Sequence, residues 1–354
     1  MVKCIWCDVD IPSDSKFCPV CSKEQTLKTV KLKSTKAEPS NNTAMDKILK
    51  KYKDVINSSK ERHYVSMGPL SVNLSVGNIR GVPSGRMIQI VGRESSGKTT
   101  LALDIVAQYQ KQFPDRYVMW VDCERSWDET YAKACGVDVS HIYRLTPDDA
   151  EEGYSIVLES IKEGGVRLVV VDSVPTSIPS SETSKTLKDN AKMAGSASII
   201  TRFCQHAIPI IDNYDATIIM INQYRKNFST LSPIEEVPFG GMALMYATSL
   251  LIALTRVGRG PESQEVQSVV QKNKTAKPMA KAKFTIDYGQ GVNHPACVVN
   301  MAKDLGIVEL SGAWYKYKEQ RAQGINNAVE QLPIDDIAND VIAMVSNVGV
   351  EYVE

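Results

Sequence analysis

The segment GRESSGKTT, Gly92 to Thr100, fits the pattern G-x-x-x-x-G-K-[ST] and lies between the apolar run RMIQIVG and the helix-like TLALDIVAQYQ. Glycines at both ends of such a loop let backbone N–H groups wrap a polyphosphate. Lys98 then reaches the β- and γ-oxygens, and Thr99 offers a hydroxyl to Mg²⁺. Gly92, Arg93, Glu94, Ser95, Ser96, Gly97, Lys98, Thr99 and Thr100 are therefore the candidate ATP-binding loop.

Three further strand-like runs end on groups that could serve this loop. LVVVDS ends at Asp172, a carboxylate suited to the Mg²⁺ shell beside Thr99; without the loop upstream, the same aspartate would read as a helix N-cap. WVDCE ends on Asp122 and Glu124, either of which could activate the attacking water, and spacing does not choose between them. INQ ends on Gln223, whose neutral amide can donate to a γ-phosphate. Behind it, residues 225–241 carry Arg225, Lys226 and Phe228. Cations with an aromatic suit single-stranded nucleic acid, although an ordinary charged surface loop has the same composition. VQKNKTAKP holds Lys272, Lys274 and Lys277, which composition alone reads as a solvated face.

At the N-terminus, CIWC and CPVC bring Cys4, Cys7, Cys18 and Cys21 into two Cys-x-x-Cys pairs with ten residues between them. Four thiolates at this spacing suit one tetrahedral Zn²⁺ and predict a structural zinc ribbon over residues 1–25; two redox dithiols are the alternative. Four protein ligands leave no open position for catalysis. Cys123, Cys135, Cys204 and Cys297 are scattered and read as small core hydrophobes in a reducing compartment.

These groups need a scaffold. Residues 26–44 are polar and lysine-rich, a flexible basic linker. Residues 45–65 contain an amphipathic helix over 45–58, with Ile48, Leu49, Tyr52, Val55 and Ile56 at helical spacing. From residue 66 to 292 continuous apolar runs alternate with helical stretches, which predicts an α/β core around a mostly parallel sheet. TSLLIALTRV, QSVVQKNK and AKFTIDYG follow one another closely and read as antiparallel. Residues 293–354 form a small C-terminal α/β domain, read mainly as helical.

The 354 residues balance 41 Lys+Arg against 41 Asp+Glu, so no global field announces a polyanion partner and any such site must be local. With 43% hydrophobic residues the chain can fill a large core. No apolar run has membrane-spanning length and no signal sequence opens the chain, so a cytoplasmic protein without membrane contact is expected.

In this order, GRESSGKTT, WVDCERSWDETYAKACGVD, VVVDSV, INQYR, FGGMAL, QKNKTAKP, YGQGV and GAWYKYK resemble the bacterial RecA family of recombinases or a phage-encoded relative, over about residues 45–350. The resemblance implies a RecA-like P-loop ATPase core. It also implies a DNA-dependent ATPase that forms filaments on single-stranded DNA, pairs it with homologous duplex and exchanges strands. Mediator or single-strand-binding proteins would be further partners.

Under that resemblance Glu124 is the water-activating glutamate, Tyr131 covers the adenine with Asp128 beside it, and Gln223 is the γ-phosphate switch. Lys272 and Lys274 reach the neighbouring subunit's ATP phosphates, and the 45–58 helix docks on an adjacent subunit. Residues 181–195 and 225–241 correspond to two DNA-binding loops, with Met193, Arg202, Gly240 and Gly241 near DNA. Residues 1–44 have no counterpart in the usual family member, and Met242 stands where a polar residue is familiar. A branch-migration helicase of the RadA/Sms type also carries a four-cysteine module. It has a KNRFG-like signature and a large C-terminal domain, however, whereas this chain has KNKTAKP and about 60 residues after YGQGV. A DNA-organising ATPase without strand exchange is a further alternative.

Overall fold

The computed structural model describes residues 2–3, 10–11, 51, 61–176, 195–226 and 236–348. The chain divides into two compact units, residues 62–341 and residues 1–61 with 342–354. In the latter, Val2–Lys3 pairs antiparallel with Asp10–Ile11. The four clustered cysteines lie outside the described residues, as does the 45–58 helix apart from Lys51, which is helical.

The larger unit is built on nine strands. In chain order they are β1 (Met87–Gly92), β2 (Tyr117–Asp122), β3 (Ile142–Leu145), β4 (Val166–Asp172) and β5 (Thr217–Asn222). A short hairpin follows, β6 (Tyr224–Lys226) with β7 (Glu236–Pro238). The sheet resumes with β8 (Leu250–Arg259), β9 (Ser263–Asn273), β10 (Lys281–Asp287) and β11 (Gly291–Val292). Its order is β11-β10-β9-β8-β1-β5-β4-β2-β3. From β8 through β3 all pairs are parallel, and β8 to β11 are antiparallel, as the closely spaced runs predict.

The parallel strands are continuous apolar runs because both faces are covered. Ile88, Ile90, Val118, Trp120, Leu168, Val170, Ile219 and Ile221 point to one core, against helix α1 (Lys98–Gln112). Met87, Met119, Val121, Val169, Val171, Ile218 and Met220 point to the other. There they meet α3 (Ala150–Lys162) and α4 (Gly195–Asn213), while α2 (Glu129–Ala134) sits beyond β2. Alternation of side chains along each strand divides one run between two cores. Each fully buried Ile or Val contributes about 1.5–3 kcal/mol.

After β7 comes the short helix α5 (Gly241–Ala247). The C-terminal part begins with α6 (His294–Asp304), whose N-cap Asn293 accepts from Ala296 N–H. It then forms an antiparallel meander, Glu309–Ser311, Trp314–Tyr317 and Gln320–Gln323, before helices Ile325–Gln331 and Ile334–Val348. The mainly helical reading of this region missed the meander. Its strands are short and largely exposed, so no buried apolar alternation marks them. Among the described residues no helix is long and apolar enough to cross a membrane.

Candidate functional site

Strand register brings the chemistry to one edge. Gly92 pairs with Leu254, Val91 with Asn222, and Asp122 with Asp172, so β1, β2, β4 and β5 end together. Crevices at the carboxyl ends of parallel strands are where α/β sheets bind ligands.

The loop after β1 turns on Gly97, at φ +87°, which is the N-cap of α1. A Cβ at Gly97 would stand 2.5 Å from Ile286 Cδ1, and one at Gly92 would stand 2.7 Å from the Leu254 carbonyl. Gly97 is thus required by its left-handed turn, and Gly92 by close approach to the Leu254 carbonyl. The buried Ser96 hydroxyl has no partner among the described residues. Lys98 Nζ donates to the Arg93 carbonyl at 2.9 Å, spanning the loop as a phosphate would. Burial lowers the Lys98 pKa, while Asp172, Glu124 and Glu94 oppose the shift. This cradle of backbone N–H groups, orphaned hydroxyl and amine fits a polyphosphate.

Thr99 Oγ1 donates to Asp172 Oδ2 at 3.0 Å. Burial, reinforced by the Glu124 carboxylate, pushes the Asp172 pKa up to about 7. Two carboxylates crowded beside a threonine hydroxyl fit a divalent cation, which would relieve their repulsion. Folded Asp172 keeps its proton to about pH 7, an unfolded aspartate only to about pH 4. Between those values the folded state binds more protons, so this carboxyl's contribution to stability is full at low pH and declines as pH rises through 7. Asp172→Asn should therefore raise the melting temperature in metal-free buffer at about pH 8, while abolishing Mg²⁺-dependent hydrolysis. A lowered melting temperature there would contradict this electrostatic reading.

The geometry separates the two carboxylates that spacing left open. Asp122 is 1% exposed and fully engaged, accepting from Ser126 N–H, Trp127 N–H and the Arg144 guanidinium at 3.0, 3.2 and 2.8 Å. It folds the 123–128 turn, which Trp127 closes by packing against Trp120. Glu124 is exposed on that turn, beside Asp172 and Ser173. Its N–H donates to the Asp172 carbonyl at 3.2 Å, and its Oε1 accepts a short hydrogen bond from the Ser173 hydroxyl. Asp122→Ala removes the buried acceptor that ties Ser126 N–H, Trp127 N–H and the exposed Arg144 together, and should cost about 1.5–3 kcal/mol, the span of hydrogen bonds to a charged group. Glu124→Ala should shift stability by less than about 1 kcal/mol. Urea unfolding of the two variants measures the difference.

Tyr131 OH lies 2.7 Å from Thr100 Oγ1, and burial raises its pKa to about 12, so it is a neutral phenol. Asp128 caps α2, accepting from Tyr131 N–H at 3.0 Å. Gln223 follows β5, and its carbonyl accepts from Phe239 N–H at 3.0 Å. Beside it, Asn222 is buried and donates to Gln89 Oε1 at 2.9 Å and to the Phe239 carbonyl at 2.8 Å. Gln89 in turn bonds Thr248, which bonds the Leu244 carbonyl of α5. A buried polar chain thus ties the end of β5 to the β7 side of the 225–241 loop and to α5.

At the base of that loop Arg225 and Lys226 are exposed, with Arg225 near the Phe239 ring at 5.8 Å. Gly240, at φ +100°, is the N-cap of α5, and a Cβ on Gly241 would meet nothing within 4 Å. Glu236 pairs with Arg93 of the nucleotide loop at 3.0 Å. Arg202 is exposed on α4 and lines a groove with Tyr154, Phe203 and His206. Met193 and Phe228 lie outside the described residues. Lys272 Nζ donates to the Met245 carbonyl at 2.5 Å and Lys274 Nζ to the Tyr246 carbonyl at 2.9 Å, both in the last turn of α5. Cations suit the carbonyl end of a helix.

Sequence reasoning assigned no role to Ser173, Asn222, Gln89 or Glu236, nor to Arg256, Arg259, Gln264 and Tyr288. These last four line one cleft of about 340 Å³ with residues 95–100. Ser173, Asn222, Glu236 and Tyr288 lie inside segments already singled out; Gln89, Arg256, Arg259 and Gln264 depend on strand register, which no local pattern encodes.

The RecA N-terminal domain family matches residues 41–293, and the RecA C-terminal domain family matches residues 296–342. The chain is 34% identical to Protein RecA of Rickettsia massiliae over 274 residues, 76% of this chain and 79% of that one. To Protein RecA of Rickettsia canadensis it is 32% identical over 304 residues, covering 82% and 88%. To that of a Nostoc species it is 34% identical over 274 residues, covering 76% and 75%. Among solved structures, a RadB recombinase aligns at TM-score 0.50 and 22% identity, over 64% of this chain and 98% of the other, a likeness of fold alone.

Proposed function

Because the chain belongs to the RecA family of recombinases, we propose that it is a DNA-dependent ATPase that polymerises on single-stranded DNA and exchanges strands with a homologous duplex. The observation that carries this reading is the shared edge of β1, β2, β4 and β5, where Lys98, Thr99, Asp172 and Glu124 gather, together with the buried chain from Asn222 through Gln89 to α5.

In this reading residues 92–100 hold the phosphates of ATP, and Thr99 and Asp172 hold Mg²⁺, which neutralises charge on the phosphates when bound. Glu124, held by Ser173, orients and deprotonates the attacking water. Tyr131 and Asp128 border the base. Gln223 reports the γ-phosphate, and its immediate neighbours Asn222 and Phe239 pass its position to the 225–241 loop. The two DNA-binding loops, with Met193, Arg202, Arg225, Lys226, Phe228, Gly240 and Gly241, take the single strand.

Lys272 and Lys274 act in trans on the neighbouring protomer's nucleotide. To do so they leave the α5 carbonyls they hold in the single chain, which couples nucleotide engagement to the helix behind the DNA loop. For the N-terminal module we propose a structural zinc on Cys4, Cys7, Cys18 and Cys21, supported by their spacing alone. Metal analysis of the purified chain tests it, with no bound zinc as the contrary result.

Electron microscopy with single-stranded DNA and a slowly hydrolysed ATP analogue tests the main reading. Extended helical filaments are expected, and closed rings would favour the helicase alternative. Filaments that fail to support strand invasion would leave a DNA-organising ATPase.

A further inference from the structure

The antiparallel wing of the sheet overhangs the nucleotide loop. β8 pairs with β1 only as far as Leu254 with Gly92, and then runs on to Arg259 while the chain after Gly92 turns away. Arg256 stands opposite Val266, and Gln264 stands opposite both Arg259 and Ile286. Opposed residues share a sheet face, and Val266 and Ile286 belong to the core beneath α1. The wing therefore presents Arg256, Arg259, Gln264 and Tyr288 toward α1 and the loop that caps it, and the four line the cleft together with residues 95–100.

Two features point to a ligand. Neither arginine makes a hydrogen bond or an ion pair among the described residues, although both are exposed beside a lysine and a helix N-terminus. Free guanidiniums gathered on the positive end of a helix raise the local potential without an internal counter-charge. The carboxylates that act on Lys98 are Asp172, Glu124 and Glu94. On the wing Glu265 meets Lys283 at 3.5 Å and Asp287 accepts from Asn293, while Glu262, in the turn between β8 and β9, is exposed to solvent.

We propose that Arg256 and Arg259 form a cis clamp on the polyphosphate of the bound nucleotide, closing on it from the side opposite the loop's backbone N–H groups. Planar guanidinium forks match phosphate oxygens in pairs, which lysines cannot do. The clamp makes the cleft selective for nucleoside di- and triphosphates over monophosphates and nucleosides. It rests on the reading of residues 92–100 as the ATP loop.

The test is binding of fluorescent ADP, AMP and adenosine analogues to the full chain, wild type against Arg256→Gln/Arg259→Gln. ADP affinity should fall about tenfold or more, since charge-assisted phosphate contacts are lost, and adenosine affinity should change less than about twofold. The salt dependence of ADP binding should also flatten in the variant. The single Arg256→Lys and Arg259→Lys variants should fall between, because charge remains without the fork. Unchanged ADP affinity, or equal losses for ADP and adenosine, would overturn the clamp. If ADP affinity holds while self-association weakens, the arginines belong to a contact between copies, and the clamp is again overturned. A Lys98→Ala control separates the levels: if it binds ADP as well as wild type does, the nucleotide-loop reading itself fails.

Discussion

Glu124→Gln should bind ATP and Mg²⁺ normally and hydrolyse ATP about 10²–10⁴-fold more slowly, the span general-base groups contribute. The amide keeps the shape and can still accept the Ser173 hydrogen bond, but it cannot take a proton from water. The neighbouring Asp122→Asn should instead lose stability along with activity. Asp122 spends its oxygens on two backbone N–H groups and Arg144, so its damage appears in unfolding as well as in turnover. Single-turnover hydrolysis beside nucleotide binding checks the first variant. Near-normal hydrolysis by Glu124→Gln would remove Glu124 from the chemistry.

Replacing Lys272 or Lys274 with alanine should abolish DNA-stimulated turnover, by about 10³-fold if these amines do what a cationic finger supplied in trans does elsewhere. Nucleotide binding to a single protomer should be largely intact, because the cleft that residues 95–100 line contains neither lysine. A bland alternative is that both lysines merely cap α5, holding the Met245 and Tyr246 carbonyls. Loss of such caps costs about 1 kcal/mol of stability and does not distinguish binding from turnover. Hydrolysis with and without single-stranded DNA, beside ADP affinity, separates the two. Full DNA-stimulated activity in the double variant would overturn the trans role.

The parts of this molecule that are continuous along the chain are legible in its sequence. GRESSGKTT sits between its strand and helix, and each buried run became a strand because burial on both faces leaves an uninterrupted apolar signature. The antiparallel wing followed from short connections. What could not be read lies in juxtaposition. Asp122 and Glu124 are two residues apart and chemically alike; only the fold shows one turned into the 123–128 turn and the other toward Ser173. Arg256 and Arg259 end a strand that looks ordinary until its overhang past Gly92 is known. Lys272 and Lys274 read as solvated cations by composition. In the protomer they hold helix carbonyls, and the proposed role toward a neighbour rests on the family relationship. The C-terminal meander escaped because an exposed three-stranded sheet has no inward stripe to display.

The proposed ATP site is shared between two molecules, and subunit mixing tests that most directly. A Lys98→Ala chain keeps its two trans lysines, and a Lys272→Ala/Lys274→Ala chain keeps its nucleotide loop; each alone should be inactive. Mixed on single-stranded DNA, they should regain ATP hydrolysis wherever an intact loop meets intact lysines from the next protomer. A mixture as inactive as either variant alone, under conditions where both assemble, would contradict a site built from two subunits.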